Sequence, residues 1–238
     1  MGINLTTNYS INFTNQKRHK KIIKFIIIHY TGMKNDKSAI KRLCEAKSKV
    51  SAHYFLKRSG EILNLVPDLF EAWHAGKSNW RNYKSLNKYS IGIEISNPGH
   101  EHGYIRFNQR QISSIIKLLN YLVKKYKIIP KNVLGHSDIA PYRKKDPGEK
   151  FPWNKLSKYK LCQWHSLKEK NIKKFRGKKT SSKQKKDFFK NLDKIGYKIN
   201  INKKIFVIRA FQRRYRQTMV NGKIDQECFL ISKNLVKP

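Results

Sequence analysis

Acidic residues are scarce in this sequence: 15 Asp and Glu stand against 53 Lys and Arg, giving the 238 residues a formal net charge of +38. Such a charge points to polyanionic partners, whether nucleic acid, anionic membrane surfaces or acidic polymers. The lysines run along the whole chain and form no single patch, Lys, Ile and Asn recur together as under biased codon usage, and no nucleic-acid motif accompanies them. Nucleic acid is therefore expected only as a secondary, charge-driven contact. Cysteine is scarcer still, with Cys44, Cys162 and Cys228 far apart and no C-x-x-C spacing. Neither a disulfide framework nor a cysteine zinc site is indicated, and a reducing compartment is the simpler expectation. Long apolar runs are missing as well, so no transmembrane segment is expected. The first run, Ile22 to Ile28, is short, is broken by Lys24 and leads to His29 without a small-residue cleavage site. It reads as a strand and not as the apolar part of a signal peptide. The cytoplasm is the expected location, with the periplasm, reached by an unrecognised export route, as the alternative.

What is present suffices for a folded core, since 39% of residues are hydrophobic and 12% aromatic. The length suits one medium domain and one small one. Ile22 to Tyr30 is β-branched and nearly continuous in apolar residues, as a strand buried on both faces requires. Ser38 to Lys49 can form a helix with Ile40, Leu43 and Cys44 on one side. Ala52–Lys57 and Glu61–Val66 flank Arg58-Ser59-Gly60 and read as a hairpin. Ser90 to Ser96 alternates strictly, sending Ile91, Ile93 and Ile95 one way and Gly92 and Glu94 the other. Asn108 to Tyr126 carries Ile112, Ile115, Ile116, Leu119, Leu122 and Val123 at helical spacing, with Asn108 and Gln111 as a capping box. A short strand at Asn132–Gly135 follows Pro130. Strands interleaved with helices give an α/β class with a mixed β-sheet flanked by helices. Beyond Leu161 the chain turns polar and Lys-rich, then offers helices at Lys183–Ile195, Lys203–Arg216 and Gln226–Leu235. Phe188, Phe189, Leu192, Ile205, Ile208, Phe211 and Phe229 would supply their core.

Three polar residues sit where strands end or turn. His29 closes the first strand, His136 follows the last, and Asp146 lies in the turn sequence Asp146-Pro147-Gly148. Two His and one carboxylate form a catalytic zinc set that leaves a fourth position for water. Taken singly, a strand-end His is more often structural, and an Asp before Pro-Gly is usually a turn former. Glu94 is the one acid in its alternating strand. It either faces solvent or serves as a general base beside an activated water. Lys144, two residues before Asp146, could reach an oxyanion, although lysine is common everywhere in this chain.

Several segments together resemble the type 2 N-acetylmuramoyl-L-alanine amidases, the AmpD/AmiD group, which is related to peptidoglycan recognition proteins. They are Ile27-Ile28-His29-Tyr30-Thr31, Ser51-Ala52-His53-Tyr54, Ala72-Trp73-His74-Ala75-Gly76, Ile91-Gly92-Ile93-Glu94-Ile95 and Gly135-His136-Ser137-Asp138-Ile139-Ala140-Pro141, with Asp146-Pro147-Gly148 and Phe151-Pro152-Trp153. The resemblance covers about Ile22 to Leu161 in consistent order. It implies one zinc ion held by His29, His136 and Asp146, with Glu94 as catalytic carboxylate. It also implies Lys144 as catalytic lysine, Lys145 being the competing choice. His53, Trp73 and His74 match positions near the family's site and are expected in the substrate groove. The tail, Phe188 to Leu235, resembles the small three-helix peptidoglycan-binding domain of the AmiD branch. The expected organisation is an N-terminal extension (1–20), a zinc amidase domain (21–162), a linker (163–182) and a helical peptidoglycan-binding-like domain (183–238). The expected reaction is hydrolysis of the bond between N-acetylmuramic acid and L-alanine in peptidoglycan or anhydro-muropeptides, as in wall turnover and recycling. A peptidoglycan-binding module without catalysis would be expected to lack part of the metal set, and all three ligands are present here.

Overall fold

The computed structural model describes residues 5–7 and 9–237, with backbone pairing alone for 5–7. Six strands form one sheet: β1 (Leu5–Thr7), β2 (Phe25–Tyr30), β3 (Tyr54–Leu56), β4 (Ile62–Asn64), β5 (Ser90–Ile95) and β6 (Val133–Gly135), in the order β1-β4-β3-β5-β2-β6. The β3–β4 pair is the antiparallel hairpin expected around Gly60, and all other neighbours run parallel. A mixed sheet of this kind leaves several strand ends pointing the same way, which is where α/β proteins gather functional groups.

Alternation decides what each face meets. Ile26, Ile28, Ile91, Ile93, Ile95 and Val133 project to one side and form a core with α2 (Gln109–Tyr126). The α2 helix starts at the expected capping box: Asn108 Oδ1 accepts from Gln111 N at 2.9 Å, and Gln111 Oε1 accepts from Asn108 N at 3.2 Å. Its buried seam is Ile115, Leu118, Leu119 and Leu122, while Ile112, Ile116 and Val123 are only partly covered. The apolar stripe is thus turned slightly from the expected one, towards Leu118.

Phe25, Ile27 and Leu134 project to the opposite side. Two separate covers meet that face. The first, α1 (Asp36–Cys44), lays Ala39 and Leu43 on Phe55, Leu63 and Leu65. It ends at Cys44, short of the expected Lys49, because a tight turn at Ala46–Ser48 closes with Lys49 in the left-handed region (φ 51°). In chain order, three short helices come between the last strand and the tail: α3 (His136–Ile139), α4 (Trp153–Lys158) and α5 (Glu169–Lys173). The second cover is the expected trio α6 (Ser182–Ile195), α7 (Lys204–Tyr215) and α8 (Gln226–Leu235).

These tail helices share one core with the sheet: Phe188, Leu192, Val207, Phe211 and Ile231 belong to the same buried cluster as Phe25 and Ile27. Gly196 (φ 136°) lies so close to Trp80 that a Cβ there would stand 2.6 Å from its ring. The polar stretch expected as a linker is held down as well. His165 and Ile172 are buried, and Arg176 donates to both oxygens of Glu227 at 2.6 and 2.7 Å. Its lysines had hidden these few anchoring residues. The N-terminal segment is tied in too: Asn12 Nδ2 donates to Glu45 O and Val50 O, both at 2.9 Å. Because Phe211 is fully buried in the shared core, Phe211→Ala is expected to cost about 3–5 kcal/mol, measured by urea denaturation. A loss below about 1 kcal/mol, the scale of a surface change, would show that the tail does not stabilise the sheet.

Candidate metal centre and catalytic groove

Strand register places the site. His29 pairs with Glu94 across β2 and β5, at the ends of two adjacent parallel strands and on one face. Gly135 closes β6 opposite Ile28, and His136 follows at once as the first residue of α3. The loop carrying Asp146 folds back onto that turn, with Ser137 N donating to Asp146 O at 2.8 Å. His29, His136 and Asp146 thereby converge, all buried, with one ligand-capable atom each within 4.8 Å of the others. His29 Nδ1 and His136 Nδ1 each lie 3.0 Å from Asp146 Oδ2 and 2.9 Å from one another. A tetrahedral zinc with bonds of about 2.0–2.1 Å needs ligand atoms roughly 3.3 Å apart, so these side chains fit the ion with shifts of a few tenths of an ångström. Two imidazoles and one carboxylate are also the donor set of a hydrolytic zinc site with an open position.

His136 and Asp146 line a groove of about 450 Å³, and His29, buried, contacts both of them. Trp73, His74 and Lys144 line it, together with Arg42, Arg143 and Lys145. Glu94 lies in the same groove, and its Oε2 is buried without a hydrogen-bond partner among the described residues. Burial first, and then the Asp146 carboxylate, raise its pKa well above the usual carboxylate range, while Lys144 and Arg42 pull it back. Burial also opposes the charge of Asp146, but His136 and His29 outweigh it and hold that carboxyl far below its usual range. Two neighbouring carboxyls are thus driven apart, one to stay charged and one to take up protons readily, as an acid–base pair of roles requires.

Each residue singled out in the sequence has a definite place. Trp73 donates from Nε1 to Thr14 Oγ1 at 3.1 Å and borders the groove. His53, expected in the groove, is fully buried behind β5: its Nδ1 accepts from Gly92 N at 2.9 Å and its Nε2 lies 3.0 Å from Phe70 O. Arg143 had no distinguishing signal in a lysine-rich stretch. It donates to Ala75 O and, at 3.0 and 3.1 Å, to Lys77 O, joining the segment after His74 to the loop of Asp146. The tail also reaches the site. Asp138, in the same helical turn as His136, accepts from Gly135 N at 2.8 Å, from Arg214 Nη1 at 2.7 Å and from Tyr197 OH at 2.6 Å. The Arg214 guanidinium lies over the Trp153 ring at 4.1 Å.

The buried imidazoles make the metal-free protein sensitive to acid. Burial, then His136, lowers the His29 pKa to about 4, and burial, then Arg18, lowers that of His53 to about 3. Both folded values lie below the ordinary 6.5. Between these limits the unfolded chain binds protons that the native chain does not, so stability rises with pH. It is complete above about 6.5 and is lost as the pH falls towards about 4. Urea midpoints of metal-free protein should therefore drop steadily from about pH 7 to about pH 5. A flat profile across that window would contradict the burial of these rings.

Residues 18–149 match the family described as N-acetylmuramoyl-L-alanine amidase. Over 231 residues the chain is 33% identical to the N-acetylmuramoyl-L-alanine amidase AmiD of Escherichia coli (strain K12), covering 90% of this chain and 83% of that protein. A shorter likeness, 39% over 108 residues, joins it to the 1,6-anhydro-N-acetylmuramyl-L-alanine amidase AmpD of the same organism, covering 45% of this chain and 57% of that one. Among solved structures, the fold is similar to E. coli AmiD in complex with the substrate anhydro-N-acetylmuramic acid-L-Ala-D-gamma-Glu-L-Lys. The TM-score is 0.80 at 31% identity, covering 94% of this chain and 91% of that one. AmpDh3 from Pseudomonas aeruginosa gives a TM-score of 0.78 at 29% identity, with 93% of each chain covered. Both structural likenesses are too broad to leave out the C-terminal helices.

Proposed function

This chain belongs to the N-acetylmuramoyl-L-alanine amidase family, and from that premise we propose that its groove splits muramyl peptides with one zinc ion held by His29, His136 and Asp146. It is an amidase of peptidoglycan turnover, acting on the amide between N-acetylmuramic acid and L-alanine. The observation that carries the site assignment is the register of His29 with Glu94, which sets a carboxylate whose Oε2 is buried without a hydrogen-bond partner among the described residues beside the three converging side chains. Anhydro-muramyl peptides are the substrates proposed first. AmiD was solved with an anhydro-muramyl tripeptide and AmpDh3 with an anhydromuramic pentapeptide, which supports this choice.

The zinc ion, when bound, supplies Lewis-acid polarisation and lowers the pKa of water towards about 7. Glu94 takes a proton from the attacking water and returns it to the departing alanine nitrogen. The oxygen of that water joins the lactyl carbonyl carbon, the C–N bond breaks, and the products are a lactyl carboxylate and an alanine ammonium, which has taken up both protons of the water. Its raised proton affinity suits both halves of this transfer. Lys144 stabilises the negative charge that develops on the carbonyl oxygen. Of the three adjacent cations, Arg143 is committed to backbone carbonyls and Lys145 is exposed, whereas Lys144 is half-buried and acts on Glu94.

Lys144→Ala is therefore expected to lower kcat towards, but short of, the roughly hundredfold cost of a lost oxyanion donor, with little change in thermal stability. Lys145→Ala should matter less. Steady-state kinetics on a muramyl peptide decide between them, and the reverse ranking would assign the role to Lys145.

A further inference from the structure

Around His29 the hydrogen-bond directions follow one from another, starting at a group that can only accept. Ser90 Oγ lies 2.6 Å from the backbone carbonyl of Leu86 and must donate its proton there. Its lone pairs are left for His74 Nε2 at 3.2 Å, so that nitrogen donates. A neutral imidazole carries one proton, which makes His74 Nδ1 an acceptor. The atom 3.0 Å away is His29 Nε2, which donates in turn. His29 Nδ1 is left with a lone pair, and this is the nitrogen that faces His136 Nδ1 and Asp146 Oδ2. His136 reaches the same state by a shorter route: its Nε2 lies 3.2 Å from Ala75 O and donates to it, because Arg143 Nη2, 3.3 Å from that nitrogen, gives its two protons to Ala75 O and Lys77 O. Three electron-pair donors then point at one another with no proton between them, an arrangement that a cation stabilises.

We propose that His74 and Ser90 are positioning residues of this metal centre, forming a relay from the Leu86 carbonyl that locks His29 with an unprotonated Nδ1 towards the ion. The relay rests on the zinc reading given above for His29, His136 and Asp146. It gives His74 a different role from the substrate contact expected in the sequence: the ring borders the groove, but both nitrogens are engaged within the protein. The surroundings are shaped to hold it. A Cβ at residue 92 would stand 2.4 Å from His74 Cγ, so only Gly92 lets the ring lie against β5. Asn87 Oδ1 accepts from the backbone N–H groups of His74 and Ala75 at 3.2 and 2.6 Å, fixing the segment that carries the ring. Partners of this kind set the tautomer, orientation and basicity of a ligating imidazole.

The test uses the full-length chain and zinc alone as the probe, with His74→Leu, His74→Asn and Ser90→Ala. Imidazole nitrogen NMR of metal-free wild type at neutral pH should show His29 protonated on Nε2. Zinc affinity, measured by competition with a chelating dye, should fall about 10–100-fold in His74→Leu, the scale for residues that orient a ligand. Ser90→Ala should show a smaller loss of the same kind. His74→Asn should recover most of the affinity, because its side-chain oxygen can accept where Nδ1 did. Protonation of His29 on Nδ1 would overturn the relay. So would equal zinc affinity in wild type and His74→Leu with only a lowered Tm, the mark of a packing role. Failure of the wild type to bind zinc would overturn the metal reading, and the His29 tautomer in metal-free protein would still decide the relay.

Discussion

Replacing Glu94 with glutamine is expected to reduce hydrolysis of a muramyl peptide by roughly a hundredfold or more, the usual scale for a lost general base, while zinc remains bound. Glutamine keeps the shape of the side chain but cannot hold the proton in transit. Glu94 is not one of the three converging ligands, and its Oε2 has no hydrogen-bond partner among the described residues, so the substitution leaves no broken contact behind. Removing a buried carboxyl with a raised pKa also lessens a desolvation cost, and the variant should be no less stable than the wild type. Kinetics, metal content and thermal denaturation of the same preparation test all three statements. Loss of the metal from the variant would make Glu94 a ligand, and unchanged turnover would remove it from the reaction.

The second large effect is expected at Asp146. Its Oδ2 is the atom that the His29 and His136 imidazoles both face, at 3.0 Å each. Asp146→Ala deletes one of three donors and the one negative charge among them. Zinc affinity should fall by more than about a hundredfold, since even residues that only orient ligands cost about 10–100-fold, and activity should disappear with it. Chelation of the wild-type protein should have the same outcome reversibly, with added zinc restoring the rate. An Asp146→Ala protein that kept both metal and activity would exclude the proposed ligand set.

Much of this site is legible in the chain itself because its residues sit where strand periodicity is clearest. The alternation Ile91-Gly92-Ile93-Glu94-Ile95 announces that Glu94 leaves the isoleucine face, and register then sets it beside His29. The capping box of α2, the hairpin at Gly60 and the three tail helices are likewise local features, readable from neighbours in sequence. Less legible is which surface covers which. Periodicity shows that Phe188, Leu192 and Phe211 form an apolar face, but not that the face closes on Phe25 and Ile27. Arg214 looks like any other cation in a chain with 53 of them, yet it is buried against Asp138 and Trp153. His53 and His74 share a motif-level resemblance to groove residues, and only the approach of both rings to Gly92 separates their surroundings from those of Trp73. The linker expected from the lysines of 163–182 fails to reveal itself as a packed connection because Ile172 and His165 are isolated among solvated side chains.

The most direct measurement is mass spectrometry of the products formed from a defined anhydro-muramyl tripeptide and from its reducing-end counterpart, with and without chelator. The expected result is a muramic acid sugar and an intact stem peptide beginning with L-alanine, together one water heavier than the substrate, from both forms and only when the metal is present. Cleavage at any other bond, or the same products from thoroughly metal-free protein, would contradict the account.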